Sequence, residues 1–345
     1  MKINRRQFLR SAAMLGFSST FIRSTFAQDA TATTPPTPTP EGMPLALTGK
    51  VRDVHDPVIM KHGDAYYIYH TGPRIPHRVS KDLIDWQILV PNVFKDTPVW
   101  ALQAVKGVTN LWAPDISFFN DKYHLYYSAS TFGSNISAIG LATNVTLNPE
   151  EEGYAWEDQG MVISSDTTNN YNCIDPNLVI DGEGNTWLAF GSFWSGIKMR
   201  RIDYATGKLS EDDTELYSLA QRFTDSGSVE APFIIHKGDY YYLFVSFDAC
   251  CQGTASTYRV MVGRSEAVTG PYADRDGVEM LQGGGTQVTF PTKRWRGPGH
   301  NSVLIEGDKE WLVYHSYDAQ VGGIPTLRIT PLQWDDEGWP FITEA

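Results

Sequence analysis

Cysteine is nearly absent from this chain. Its 345 residues include three, and two of them, Cys250 and Cys251, are neighbours. That count excludes a disulfide framework. The adjacent pair is expected to be buried and unbonded, because a vicinal disulfide is strained. Positive charge is also short. Lys and Arg number 28 against 40 Asp and Glu, for a net charge of −12. An acidic surface argues against nucleic acid and anionic membrane as partners. Long amphipathic helical patterns are missing, and no apolar run is long enough to span a bilayer stably. Aromatics are plentiful, with 10 Trp, 17 Tyr and 16 Phe. They suit β-strands and flat stacking surfaces.

Residues 1–27 read as an export signal. Arg5-Arg6 precedes Phe8-Leu9, an apolar stretch runs from Ser11 to Phe21, and Ala27 follows as a cleavage site. The twin arginine resembles a Tat signal. Removing the segment deletes five positive charges (Lys2, Arg5, Arg6, Arg10, Arg23) and no negative ones, so −12 becomes about −17. Residues 28–45 are rich in Thr and Pro and read as an extended tether. Residues 46–345 are expected to form one domain.

One phrase recurs five times in that domain, opening at Asp56, Ala113, Asp175, Glu230 and His300. Each copy is a short apolar strand, a Gly/Asp turn and an aromatic strand, which is a hairpin signature. A third strand follows each copy, at Arg78–Ser80, Ala138–Ala142, Ile197–Ile202, Tyr258–Arg264 and Leu327–Leu332. Trp86, Trp156 and Tyr272 mark fourth strands. Units of roughly 60 residues with four strands each predict an all-β fold, a five-bladed β-propeller.

In such a fold the opening residues of the first strands ring a central channel. Three of the five are carboxylic acids. An Asp before Pro, taken alone, is a turn residue; the repeat puts all three at one level. Converging like charges cost free energy unless a proton, cation or ligand compensates. The ring is therefore the expected site. Asp56 and Glu230 stand on non-adjacent blades. Two carboxyls facing each other across a water-sized gap are what inverting glycoside hydrolysis requires, with Asp175 between them to tune the acid. Asp115 lies two positions beyond the ring, where bonding to backbone is expected instead.

The motifs His55-Asp-Pro57, Leu111-Trp-Ala-Pro-Asp115, Ile174-Asp-Pro-Asn177, Val229-Glu-Ala-Pro-Phe233 and Gly297-Pro-Gly-His-Asn-Ser302 resemble glycoside hydrolase family 43. The stretch Ser246–Ser265 is similar to its endo-1,5-α-L-arabinanases. The resemblance covers roughly residues 48–342. It implies Asp56 as general base, Glu230 as general acid, Asp175 as the pKa-tuning carboxyl, and arabinan as substrate. It also implies one calcium ion on the propeller axis, held by His300 and water. Trp112 and Phe132 look like that group's substrate-platform aromatics. Phe193, Trp194 and Tyr317 are further stacking candidates, and Asn177, Ser195 and His315 are expected hydroxyl partners. Tyr66, Tyr67, Tyr126, Tyr241, Tyr242, Trp187 and Trp311 are expected in the core. Exo-acting arabinofuranosidases, β-xylosidases and non-catalytic sugar-binding propellers remain alternatives. A monomer outside the cytoplasm, periplasmic or extracellular, is expected. It would act on a neutral polysaccharide, since an anionic one would be repelled.

Overall fold

The computed structural model describes residues 42–343. The export signal and most of the tether lie outside the described residues. Within them, five sheets carry the five repeats, antiparallel throughout except where Thr48–Gly49 runs parallel to the outer strand of the first. Blade 1 runs Val58–His62, Ala65–Tyr69, His77–Ser80 and Asp85–Leu89. Blade 2 runs Leu111–Phe119, Lys122–Ala129, Ser137–Asn144 and Glu157–Ser165. Blade 3 runs Asn177–Ile180, Thr186–Phe190, Ile197–Ile202 and Tyr217–Ala220. Blade 4 runs Val229–Lys237, Tyr240–Phe247, Arg259–Ser265 and Thr286–Gln287. Blade 5 contributes Trp295–Glu306, Lys309–Asp318 and Ile324–Pro331. Trp156 falls just before the fourth strand of blade 2, whereas Tyr272 lies well ahead of that of blade 4, beside the bridge residue Ala273.

Blade 5 borrows its outer edge from the start of the domain. Arg52 bridges Thr326, Val54 N–H donates to Pro325 O, and Leu327 N–H donates to Val51 O. This pairing removes an open edge and ties the first blade to the last. Hydrophobic clusters fill the spaces between sheets, with Trp86, Tyr69, Tyr126, Tyr127 and Phe244 fully buried. Of the expected core aromatics, the six other than Trp311 are buried, and Trp311 packs against the cluster around Val313.

The inner strands are also joined by polar side chains. Asp115 accepts Leu178 N–H at 2.9 Å and Asn177 Nδ2 at 3.0 Å, and Asn177 Oδ1 accepts Ile234 N–H at 2.8 Å. Ser302 Oγ reaches Pro57 O at 3.1 Å. Asp115 thus bonds backbone, as expected. Asn177 requires a correction. It is 2% exposed and its amide bridges three blades, so it is a seam residue and not a sugar contact.

Cys250 and Cys251 also require correction, because the two form a disulfide. The turn that carries them holds Cys251 at φ 66°. It leaves Cys251 exposed, a local geometry that composition does not report.

Buried histidines set the acid stability. Burial pushes His70 down to about 3 and His77 to about 4, and His124 is likewise lowered to about 4. Burial holds His315 well below its ordinary value. All four are neutral in the fold but take up protons near pH 6.5 once unfolded. Two buried carboxyls act oppositely, since burial raises Asp115 to about 6 and Asp175 to about 8. The unfolded chain therefore binds about two more protons near pH 5, and stability should fall on acidification. The slope is roughly 2–3 kcal/mol per pH unit between pH 6 and 4. A melting temperature that stays flat over that range would contradict these neutral histidines.

Candidate active site

The five inner strands begin with the same unusual backbone. Asp56, Ala113, Asp175, Ala231 and His300 have φ of 52°, 40°, 57°, 57° and 50°. Non-glycine residues in this left-handed region cost about 1 kcal/mol or more each and persist only where surroundings fix them. Each is fixed the same way, because its N–H donates to a side chain of the preceding blade. The acceptors are His315 Nδ1 for Asp56 (3.1 Å), Thr71 Oγ1 for Ala113 (2.8 Å) and Ser128 Oγ for Asp175 (3.0 Å). Asp175 Oδ2 takes Ala231 N–H (3.2 Å) and Ser246 Oγ takes His300 N–H (2.8 Å).

The register of blade 4 therefore differs from expectation. Its ring residue is Ala231, and Glu230 stands one place earlier. The repeated proline marks this register: Pro57, Pro114, Pro176 and Pro232 each follow the ring residue. The displacement sends the Glu230 carboxyl to partners other than a ring N–H. Ser192 Oγ reaches Oε2 at 2.7 Å and Tyr258 Oη reaches Oε1 at 2.6 Å. Ser192 also pairs with Glu230 through backbone. Tyr258 is pressed against Gly299, where a Cβ would lie 2.1 Å from the ring. Gly299 thus permits the close approach that Gly-Pro-Gly predicts.

Asp56 has the opposite surroundings. Its Oδ1 is 2.8 Å from His55 Nδ1, 3.1 Å from His300 Nδ1 and 3.7 Å from His315 Nδ1. Thr71 Oγ1 donates to Oδ2 at 2.5 Å. Burial opposes a charge here, yet His55 and His300 hold the carboxyl well below the usual carboxylate range. His300 responds in kind: burial lowers it, but Asp56, Asp175 and Glu230 together raise it to about 9. Asp175 is raised to about 8, first by burial and then, against the pull of His300, by charge on Glu230 and Asp56. The three carboxyls and His300 thus form one electrostatic unit at the channel mouth. The far ends of the inner strands, including Met60, Phe118, Ile180 and Ile305, line an apolar recess of about 320 Å³.

Aromatics flank the polar end. Trp112 precedes ring residue Ala113, and its ring centroid lies 5.0 Å from that of Phe132, which is 80% exposed. Phe193 and Trp194 follow Ser192 on a turn with φ of 54° and 44°, and Trp194 is exposed. Ser195 lies beside them, its Oγ buried without a hydrogen-bond partner.

Two expected sugar contacts are buried within the Asp56 cluster. His315 is fully buried behind Asp56 and stacks on His55 at 4.0 Å. Tyr317 is also buried, with its hydroxyl between His55 Nε2 and Cys251 N–H. Sequence reading passed over His55, Thr71, Ser192 and Tyr258. His55, adjacent to Asp56 in the first motif, and Tyr258, inside the Ser246–Ser265 stretch, carried a signal in sequence.

The sequence matches glycosyl hydrolases family 43 over residues 51–340. It is 44% identical over 293 residues to an extracellular endo-alpha-(1->5)-L-arabinanase 1 of Bacillus subtilis, covering 83% of this chain and 87% of that one. It is 43% identical over 311 residues to the extracellular exo-alpha-(1->5)-L-arabinofuranosidase ArbA of Cellvibrio japonicus, covering 87% and 89%. Among solved structures, the Cellvibrio cellulosa alpha-L-arabinanase complexed with arabinohexaose superposes with a TM-score of 0.81. That pair shares 42% identity and covers 85% of this chain and 96% of that one. With fold, ring and sequence in agreement along the whole propeller, the chain belongs to glycosyl hydrolases family 43.

Proposed function

We propose that the protein is an exported, inverting hydrolase that cleaves internal α-1,5-L-arabinofuranosidic bonds of arabinan, a side chain of plant cell-wall pectin. Asp56 is the general base, Glu230 the general acid and Asp175 the carboxyl that tunes it. One observation carries this reading: a single cluster sorts its carboxyls by environment. Asp56 sits among imidazoles that favour its ionised form, as a base that draws a proton from water requires. Glu230 sits between two hydroxyls, which can donate or accept. That cradle suits a carboxyl both with and without its proton, the two states an acid visits in each turnover. Charge on Glu230 raises Asp175, which ties the two carboxyls together electrostatically. Blades 1 and 4 are not adjacent, which favours the wide separation, about 6.5–9.5 Å, that admits a water behind the sugar.

Trp112 and Phe132 provide an apolar surface for the C–H faces of sugar rings, supported by Phe193 and Ser195 beside the acid. A calcium ion on the axis is part of the reading. The oxygens of Asp56, Glu230 and Asp115 already face protein donors. His300, whose Nδ1 faces Asp56, has Nε2 left for a ligand, and the remaining shell would be water. A carboxylate behind a ligating imidazole is the usual way such a ligand is oriented, and an ion there would have to displace the Nε2 proton that the surrounding carboxyls favour. When bound, the ion would offset the negative charge of the ring. Relatives named extracellular support export, and no helix among the described residues is long and apolar enough to cross a membrane.

The Cellvibrio relative, named exo-acting at nearly the same identity, favours a second reading in which chains are cut from their ends. Digestion of debranched arabinan, with products sized over time, separates the two. The endo reading expects a ladder of short oligomers at early times. Release of one small product alone favours end cutting, and no product removes hydrolysis altogether.

A further inference from the structure

The disulfide turn lies closer to the chemistry than its place in the chain suggests. Cys251 N–H donates to Tyr317 Oη at 2.7 Å, and the Ser256 side chain also hydrogen-bonds that oxygen. Tyr317 Oη lies 2.8 Å from His55 Nε2, and His55 Nδ1 lies 2.8 Å from Asp56 Oδ1. Counting protons gives this path a direction. The backbone N–H can only donate, and the Ser256 hydroxyl, whose oxygen already takes Gln252 N–H, donates to Tyr317 Oη as well, so the phenol's single proton is directed at His55 Nε2. His55 Nε2 is then the acceptor, Nδ1 carries the imidazole proton, and that proton points at Asp56. We propose that the turn closed by Cys250–Cys251 is a positioning element for Asp56. Acting through Tyr317, it fixes the His55 tautomer that donates to the base, and reducing the disulfide disengages it.

This inference rests on the reading of Asp56 as the general base. The base of the turn is held without the disulfide. Arg222 and Arg259 grip Asp248, and Thr257 and Tyr258 N–H both donate to Ala249 O. Reduction therefore frees the tip, where Cys251 is exposed and reachable. A dithiol supplies two electrons and two protons, the S–S bond breaks to two thiols, and the dithiol is oxidised to its own disulfide. Cys251 Sγ already lies 3.8 Å from His55 Nε2. The loss on reduction comes instead through the freed backbone N–H, which no longer sets the direction of the Tyr317 hydroxyl. Cys173, the remaining cysteine, is buried and raised to about 12, chiefly by burial, so it takes no part.

The test is a four-way comparison on arabinan: wild type and Tyr317→Phe, each oxidised and each treated with dithiothreitol. Thiol counts in denaturant should rise from one to three on reduction. Tyr317→Phe keeps the ring and loses the link. Its kcat should fall about tenfold at unchanged KM, the kinetic weight of one hydrogen bond. Reduction should lower wild-type kcat by a similar factor yet change Tyr317→Phe by less than about twofold, since its link is already cut. A Cys250→Ser/Cys251→Ser double variant should behave as reduced wild type without any reductant. Equal losses on reduction in both backgrounds, an effect on KM alone, or no effect on wild type would each overturn the proposal. Asp56→Asn run alongside separates the two levels: should it retain turnover, the underlying reading fails instead.

Discussion

Asp56→Asn should lose about a thousandfold in kcat on arabinan while keeping its fold, the middle of the range a general base supplies. The choice of Asn matters because Asp56 sits at φ 52°. Asn tolerates the left-handed region, whereas Ala adds backbone strain. Asn also keeps an oxygen for the Thr71 hydroxyl. It loses the negative charge that holds His300 up at about 9 and the lone pair that takes the proton from water. If Asp56 only shaped the ring, Asn would preserve activity and Ala would not. If it is the base, both variants fail alike, and the Asn variant fails without large thermal destabilisation. A small anion such as azide attacks without needing deprotonation, so it should restore some turnover of an aryl arabinofuranoside in Asp56→Ala. Near wild-type kcat in Asp56→Asn would remove this residue from the reaction.

What the sequence made legible depended on repetition. Five copies of a strand–turn–strand phrase carry the propeller, because each blade must bury the same two faces. Three acids near the copies' starts located the site. Single-position detail followed a different logic. Glu230 was placed on the ring because acids were aligned with acids, whereas the backbone aligns proline with proline and puts Ala231 there. That one-residue offset has chemical meaning. A ring residue's N–H is taken by the preceding blade, while the residue before it turns its carboxyl to Ser192 and Tyr258. Asn177 and Tyr317 were misplaced for a related reason. Both stand near the mouth in sequence, but the pleat of a strand sends alternate side chains to opposite faces, which buries Asn177 in a seam and Tyr317 behind His55. The closing edge of blade 5 comes from residues 51–54, which bear no repeat signature because pairing there is through backbone alone. The Cys250–Cys251 bond was beyond reach because it depends on the dihedral path of one turn.

Glu230→Gln should separate the acid from the base by its dependence on the leaving group. Gln fills the same space, and its amide can bond the Ser192 and Tyr258 hydroxyls, so the clamp stays satisfied. What disappears is the proton delivered to the departing sugar oxygen. An arabinosyl alkoxide is a poor leaving group, and kcat on arabinan should fall roughly a thousandfold. A 4-nitrophenyl arabinofuranoside departs as a stable phenolate and needs little protonation. On that substrate Glu230→Gln should lose far less, about tenfold or under, whereas Asp56→Asn should be crippled on both. The contrast is a property of where each group acts: one on the leaving oxygen, the other on the water behind the sugar. Equal losses of Glu230→Gln on both substrates would mean that Glu230 acts before bond cleavage. The reverse pattern, with Asp56→Asn sparing the aryl substrate, would exchange the two roles and place the incoming water on the Glu230 side of the ring.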